Sequence, residues 1–237
     1  MAAVQSVQTT KEHAYQYVDQ GMVLVPLRPQ SKAPYKREWN RPENLLSTRE
    51  DVDTHLGPMD NIGLALGPSR IISLDIDNLT RAREIFAESG IDLDQMLRDP
   101  RSVGIDSGRT NRAKLLFRQH PDATNLTTVD FDEPDGKVYE IRCLAKNGNT
   151  MQDVLPPSIH PDTGQPYEAV GNLCDPPMLP APLRAFWEQR QAEARQPRRV
   201  HPSTLIVSSP ASPPAGAPNV AIIDLRVSII VEMLQCL

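Results

Sequence analysis

Two aspartates stand two residues apart at the end of an apolar run, Ile71-Ile72-Ser73-Leu74-Asp75-Ile76-Asp77-Asn78. The run lies between Pro68 and Asn78 and has the length and composition of a buried strand. Strand side chains alternate between faces, so Asp75 and Asp77 share one face while Leu74 and Ile76 share the other. Two carboxylates side by side at a strand end repel unless a positive partner joins them. A divalent cation with oxygen ligands is one such partner. Capping of the following helix, or simple solvation, is the alternative that this stretch leaves open.

Three further segments carry chemistry. In Ser107-Gly108-Arg109-Thr110-Asn111-Arg112-Ala113-Lys114 a glycine precedes guanidinium and ammonium donors suited to phosphate oxygens. The surroundings are basic: six Lys or Arg and two Asp lie between Arg98 and Arg118, inside an acidic protein. The Walker spacing GxxxxGK[ST] is absent, and a solvated basic loop is the competing reading. In Val138-Tyr139-Glu140-Ile141-Arg142 alternation puts Glu140 and Arg142 on one strand face, either as a third carboxylate near a metal or as a surface ion pair. In Pro156-Pro157-Ser158-Ile159-His160-Pro161 the prolines hold an extended loop that would present Ser158 and His160, although a lone histidine is more often structural.

The elements that must position these groups follow from local signals. Thr9 and Glu12 form a capping box for a helix running to Gly21, and Ser47 with Glu50 suggests a second one for a short helix closed by Gly57. Strands are expected at 22–27, 61–66, 70–76, 102–105 and 113–118, and helical segments at 80–88 and 92–98. Residues 137–144 and 151–155 suit a hairpin turning at Asn147-Gly148-Asn149. A short strand is expected within 165–170. A final helix starts at Ala181, with Pro182 near its first position, and buries Leu183, Phe186 and Trp187.

Composition bounds the class. The chain has 237 residues, 39% of them hydrophobic, and a net charge of −5, so nucleic-acid binding would need a local basic patch. Cys143, Cys174 and Cys236 are far apart, which argues against a zinc site and a disulfide framework and favours a reducing, cytoplasmic setting. Residues 1–10 lack the features of a signal peptide, and no apolar run reaches membrane-spanning length. The 23 prolines concentrate late in the chain. Residues 1–196 read as one catalytic domain and 197–218 as a Pro/Ser/Ala-rich linker. Residues 219–237 read as the start of a further domain or a loose tail.

In order and spacing these segments resemble the primase–polymerase domain of the archaeo-eukaryotic primase superfamily, in its phage and plasmid form, over residues from about Glu12 to Val170. That family's first motif, DxD or DxE at a strand end, is matched by Asp75 and Asp77. Its second, Ser-Gly followed by a histidine on the next strand, is matched at Ser107-Gly108 but has Lys114 at the histidine position. Its third, a carboxylate on an apolar strand, is matched by Glu140. The Pro-Pro-Ser-Ile-His-Pro segment and the opening Lys32-Ala33-Pro34 with Trp39 fit as well. The resemblance implies an α/β (α+β) domain with a mixed, largely antiparallel sheet flanked by helices. It implies a template-directed nucleotidyltransferase that holds two Mg²⁺ or Mn²⁺ ions on Asp75, Asp77 and Glu140, with no zinc. Nucleotide would be held by Ser107, Gly108, Arg109, Lys114, Arg142, Ser158, His160 and Lys32. Implied partners are single-stranded DNA, NTP or dNTP, and a replicative helicase in cis or in trans. A degenerate DNA- or helicase-binding module, a haloacid-dehalogenase-type phosphatase and a DxD glycosyltransferase are the rivals.

Overall fold

The elements run α1 (Thr10–Asp19), β1 (Leu24–Leu27), α2 (Arg49–His55), β2 (Asn61–Ala65), β3 (Ile71–Ile76), α3 (Leu79–Glu88), α4 (Leu93–Arg98), β4 (Gly104–Asp106), β5 (Ala113–Arg118), β6 (Val129–Glu133), β7 (Gly136–Arg142), β8 (Gln152–Leu155), β9 (Glu168–Val170) and α5 (Ala181–Arg195), with a 3₁₀ turn at Pro42–Asn44. This computed structural model describes residues 9–122 and 126–195, which all belong to the unit Met1–Pro197. The expected linker, 197–218, and tail, 219–237, lie outside the described residues. No described helix is long and apolar enough to cross a membrane.

Among the described residues nine strands form two sheets. One has the order β1-β2-β8 and the other β6-β7-β3-β5-β4-β9. Every ladder is antiparallel, and among the described residues parallel pairing is confined to the isolated bridges Arg118–Met178 and Thr127–Leu144. The α+β fold with largely antiparallel pairing and flanking helices that the sequence suggested is present, its strands divided between two antiparallel sheets, with five α-helices and no barrel among the described residues.

Strand β3 has the alternation that the sequence suggested. Ile72, Leu74 and Ile76 are fully buried and join Phe86 of α3, Tyr139 and Ile141 of β7, and Phe186 and Trp187 of α5 in one core. Ile71 points the other way, into a second core with Leu24, Ile62, Leu116 and Leu155. Ser73 and Asp75 follow Ile71 on that face. A slip of one residue would drive the carboxylates into the first core and the isoleucines out of it, so burial of this face fixes the register.

Some local expectations change. The cap of α2 is Thr48 with Asp51, one residue later than Ser47 with Glu50, and Ser47 also donates to the Asp51 carboxylate. The turn at 147–149 forms, with Ala145 N donating to Asn149 O at 2.8 Å. The hairpin does not continue, however: β7 pairs with β3, and β8 leaves to pair with β2 in the other sheet. Leu144–Thr150 is the bridge left at the fork. Strands β2 and β3, consecutive in sequence, likewise belong to different sheets. Strand β6 carried no expectation. Its outward positions are acidic, which obscures the alternation at this sheet edge.

Candidate active site

On the Asp75 face, residues of both sheets line a cleft of about 560 Å³. Asp75 stands directly opposite Lys114 on β5 and Glu140 on β7, and Ser73 opposite Leu116 and Arg142. One row across three strands thus reads Lys114, Asp75, Glu140. Gly104 makes the neighbouring approach possible, because a Cβ there would lie 2.1 Å from the Lys114 carbonyl oxygen.

Asp75, Asp77, Ser107, Arg109, Lys114, Arg142, His160 and Lys32 all line the cleft. Neither aspartate caps α3: Asn78 does so, its side chain accepting from Arg81 N at 3.1 Å. Instead Asp77 pairs with Arg112. Asp75 has Lys114 Nζ at 3.2 Å and Arg142 Nη1 at 3.6 Å. Glu140 is drawn aside to Lys137 Nζ at 3.3 Å and Arg142 Nε at 3.6 Å. It shares the row but does not itself line the cleft.

The basic loop between β4 and β5 is built by short-range bonds. Gly108, at φ +68°, donates its N–H to Asp106 Oδ1 at 2.8 Å. Asn111, at φ +58°, accepts from Thr80 N and Thr80 Oγ1, each at 3.0 Å, and its carbonyl accepts from Leu79 N at 3.0 Å. These bonds pin the loop to the start of α3 and deliver Arg112 to Asp77. Gly108 shapes the loop but does not line the cleft.

Ser158 is a correction. It is 2% exposed, accepts from Ile62 N at 2.7 Å and donates to Ile62 O at 3.3 Å. A hydroxyl that satisfies both groups of a backbone residue on β2 stitches the loop to the sheet, and it does not face the cleft. His160, 1% exposed, does face it. Its Nδ1 accepts from the backbone N–H groups of Asp162 at 3.1 Å and Thr163 at 3.4 Å, so the ring proton sits on Nε2. That Nε2 is buried and has no hydrogen-bond partner among the described residues. Burial, and then the charge of Lys32, holds the imidazole below its ordinary pKa and keeps it neutral. Burial also lowers Lys32, with Lys114 adding to the effect.

Sequence reading missed Arg112 as Asp77's partner and missed Asp153 altogether. Asp153 sits on β8 with 1% of its side chain exposed, 2.8 Å from Lys114 Nζ and 2.5 Å from Arg142 Nη1. Burial works to raise its carboxyl, but Arg142 and Lys114 overcome that and hold it below the ordinary range. Lys114 and Arg142 are in turn held above theirs: burial opposes the shift, and Asp153 is the largest charge that drives it. An acid inside a short apolar strand was the available signal, since such groups are rarely buried without a partner.

The donors facing the cleft at Asp75 and Asp77 are carboxylate oxygens, the ligand type of a hard divalent cation, and Glu140 adds a third one strand away. In the conformation described, the neighbouring cations hold these oxygens, and among the described residues no three carboxylate, His or Cys groups converge on one point. The donor chemistry fits Mg²⁺ or Mn²⁺. The surrounding Arg and Lys side chains fit a polyphosphate.

A search of curated proteins finds no significant match. A family model does match, that of the bifunctional DNA primase/polymerase N-terminal domain, over residues 14–182. The match spans both sheets, the cleft and the start of α5, well over half of the chain, and this protein therefore belongs to the bifunctional DNA primase/polymerase family.

Proposed function

We propose that this domain is a template-directed nucleotidyltransferase that makes primers on single-stranded DNA during phage or plasmid replication. The observation that carries the reading is Asp75 and Asp77 together in one cleft with Lys32, Arg109, Lys114 and Arg142. Acidic and basic groups in one concave site match the two demands of the reaction, binding hard cations and neutralising a triphosphate. Two Mg²⁺ or Mn²⁺ ions, held by Asp75, Asp77 and Glu140, would supply activation of the attacking 3′-hydroxyl and charge stabilisation of the leaving pyrophosphate.

The protein's own groups would do the remainder. Arg109 and Lys32 would receive the phosphates at the rim, and Lys114 and Arg142 deeper in the cleft. His160 Nε2–H offers a neutral hydrogen-bond donor to the nucleotide. For Glu140 to join the aspartates its side chain must leave Lys137 and Arg142. A replicative helicase is the protein partner we propose, with single-stranded DNA and NTP or dNTP as substrates, in the cytoplasm.

Family membership leaves the phosphatase and glycosyltransferase rivals without support. One observation favours a second reading, a module that binds DNA or a helicase without synthesis: Lys114 stands where the family has histidine, and the carboxylates are already held by cations. The deciding experiment is incorporation of labelled NTP or dNTP on a single-stranded template with Mg²⁺ or Mn²⁺. Template- and metal-dependent product supports the enzyme. DNA binding without product under either metal supports the second reading.

A further inference from the structure

Lys114 and Arg142 both reach from the six-stranded sheet to an anion on the other sheet, and both also lie near Asp75. Lys114 Nζ is 2.8 Å from Asp153 and 3.2 Å from Asp75. Arg142 Nη1 is 2.5 Å from Asp153 and 3.6 Å from Asp75. Arg142 Nη2 further donates to the Gln152 carbonyl at 2.9 Å, next to Asp153 on β8. The two anions differ in freedom. The Asp153 side chain is 1% exposed, whereas that of Asp75 is 27% exposed. A carboxylate with no route to water cannot give up its partners without being stranded as a buried charge. Asp75, on the open side, can exchange them for a ligand.

We propose that Asp153 is a positioning residue: a fixed buried counter-ion that keeps Lys114 and Arg142 in place and so leaves Asp75 free to bind a divalent cation. This rests on the nucleotidyltransferase reading of the cleft. Two cations against one buried anion leave one positive charge over, which Asp75 shares when the cleft is empty. When Asp75 turns to a metal ion, Lys114 and Arg142 remain on Asp153, and their remaining donors face the incoming phosphates. Without the Asp153 charge, Asp75 is the anion left beside Lys114 at 3.2 Å, and it stands as near to Arg142 as Glu140 does, each at 3.6 Å. Lys114 and Arg142 close on Asp75 and compete with the metal.

The test is binding of Mn²⁺ to the whole chain, followed by the electron paramagnetic resonance of the free ion, in wild type, Asp153→Asn and the double variant Asp153→Asn/Lys114→Met. Asp153→Asn is expected to weaken Mn²⁺ binding about tenfold, a modest share of the Coulomb energy between charges at these distances. The double variant, with one competing cation removed, is expected to return to within about threefold of wild type, which a purely structural defect would not do. A second measurement needs no variant. Amine labelling of Lys114 in wild type, read by mass spectrometry, should remain low when Mn²⁺ is added, because Asp153 retains the ammonium.

Unchanged Mn²⁺ affinity in folded Asp153→Asn, or a rise in Lys114 labelling with Mn²⁺, overturns the role of Asp153 while leaving the enzyme reading intact. Wild type that binds no Mn²⁺ and incorporates no nucleotide overturns both.

Discussion

Asp75 on β3 and Glu140 on β7 are direct cross-strand partners, although 65 positions separate them in the chain. Residues so paired have Cβ atoms about 4.5–5.5 Å apart, so the sheet register alone sets the two acidic residues side by side on neighbouring strands. Asp75→Ala or Asp77→Ala is expected to cut incorporation by at least about a thousandfold, roughly 4 kcal/mol of transition-state stabilisation. The thermal midpoint of either variant should stay within a few degrees of wild type, since both side chains are part-exposed. Melting curves beside single-turnover incorporation check this. A variant that retains wild-type synthesis removes its carboxylate from the mechanism.

The Asp75 side of the site was legible in the sequence because β3 alternates strictly and both faces are committed, one to isoleucine and leucine, the other to Ser73 and Asp75. What was not legible is the fork after Cys143. Asn147-Gly148 signals a turn, but nothing local says that β8 will abandon β7 for β2. That departure carries Asp153 across to Lys114, which is why an acid at the heart of the site passed unnoticed. Ser158 failed in the opposite sense. Its neighbours Pro156, Pro157 and His160 suggested presentation to a ligand, while its partner Ile62 lies 96 positions away, beyond the reach of any sequence pattern.

Ser158→Ala should therefore act on stability and not on substrate. It leaves the Ile62 N–H without its acceptor in a buried strand, which costs about 1–3 kcal/mol. Urea unfolding is expected to show that loss, with the KM for nucleotide within about twofold of wild type. A large rise in KM at unchanged stability would return Ser158 to the nucleotide site.

Lys114→Met removes one of the two cations that compensate Asp153. Because Arg142 still pairs with that carboxylate, the expected cost is about 3 kcal/mol, the low end for breaking a buried pair. Its pH dependence follows from the directions of the shifts. Asp153 is held below its ordinary 3.8, so its contribution is present above that value and is lost as pH falls through the lower folded value. Lys114 is held above its ordinary 10.5, so its contribution is full below 10.5 and is lost only at more alkaline pH. The difference in unfolding free energy between wild type and variant should thus be flat from about pH 5 to 9 and shrink beyond either end. A difference that changes across neutral pH would contradict the pairing.

His160 gives the prediction nearest neutrality. Its folded pKa lies below the ordinary 6.5, so the unfolded chain binds the proton more readily. Stability due to this group is therefore complete above 6.5 and declines as pH falls from there towards the folded value. His160→Gln should remove that decline, so that in urea titrations the gap between wild type and variant narrows as pH falls below 6.5. The same substitution separates folding from ligand contact. A neutral hydrogen bond from Nε2–H to the nucleotide would be worth about 0.5–1.5 kcal/mol, which is about a 2–12-fold loss of nucleotide affinity in His160→Phe. Glutamine, which keeps a donor, should lose less. Equal affinities for nucleotide in wild type, His160→Gln and His160→Phe would show that the ring serves only to shape the loop through its bonds to Asp162 and Thr163.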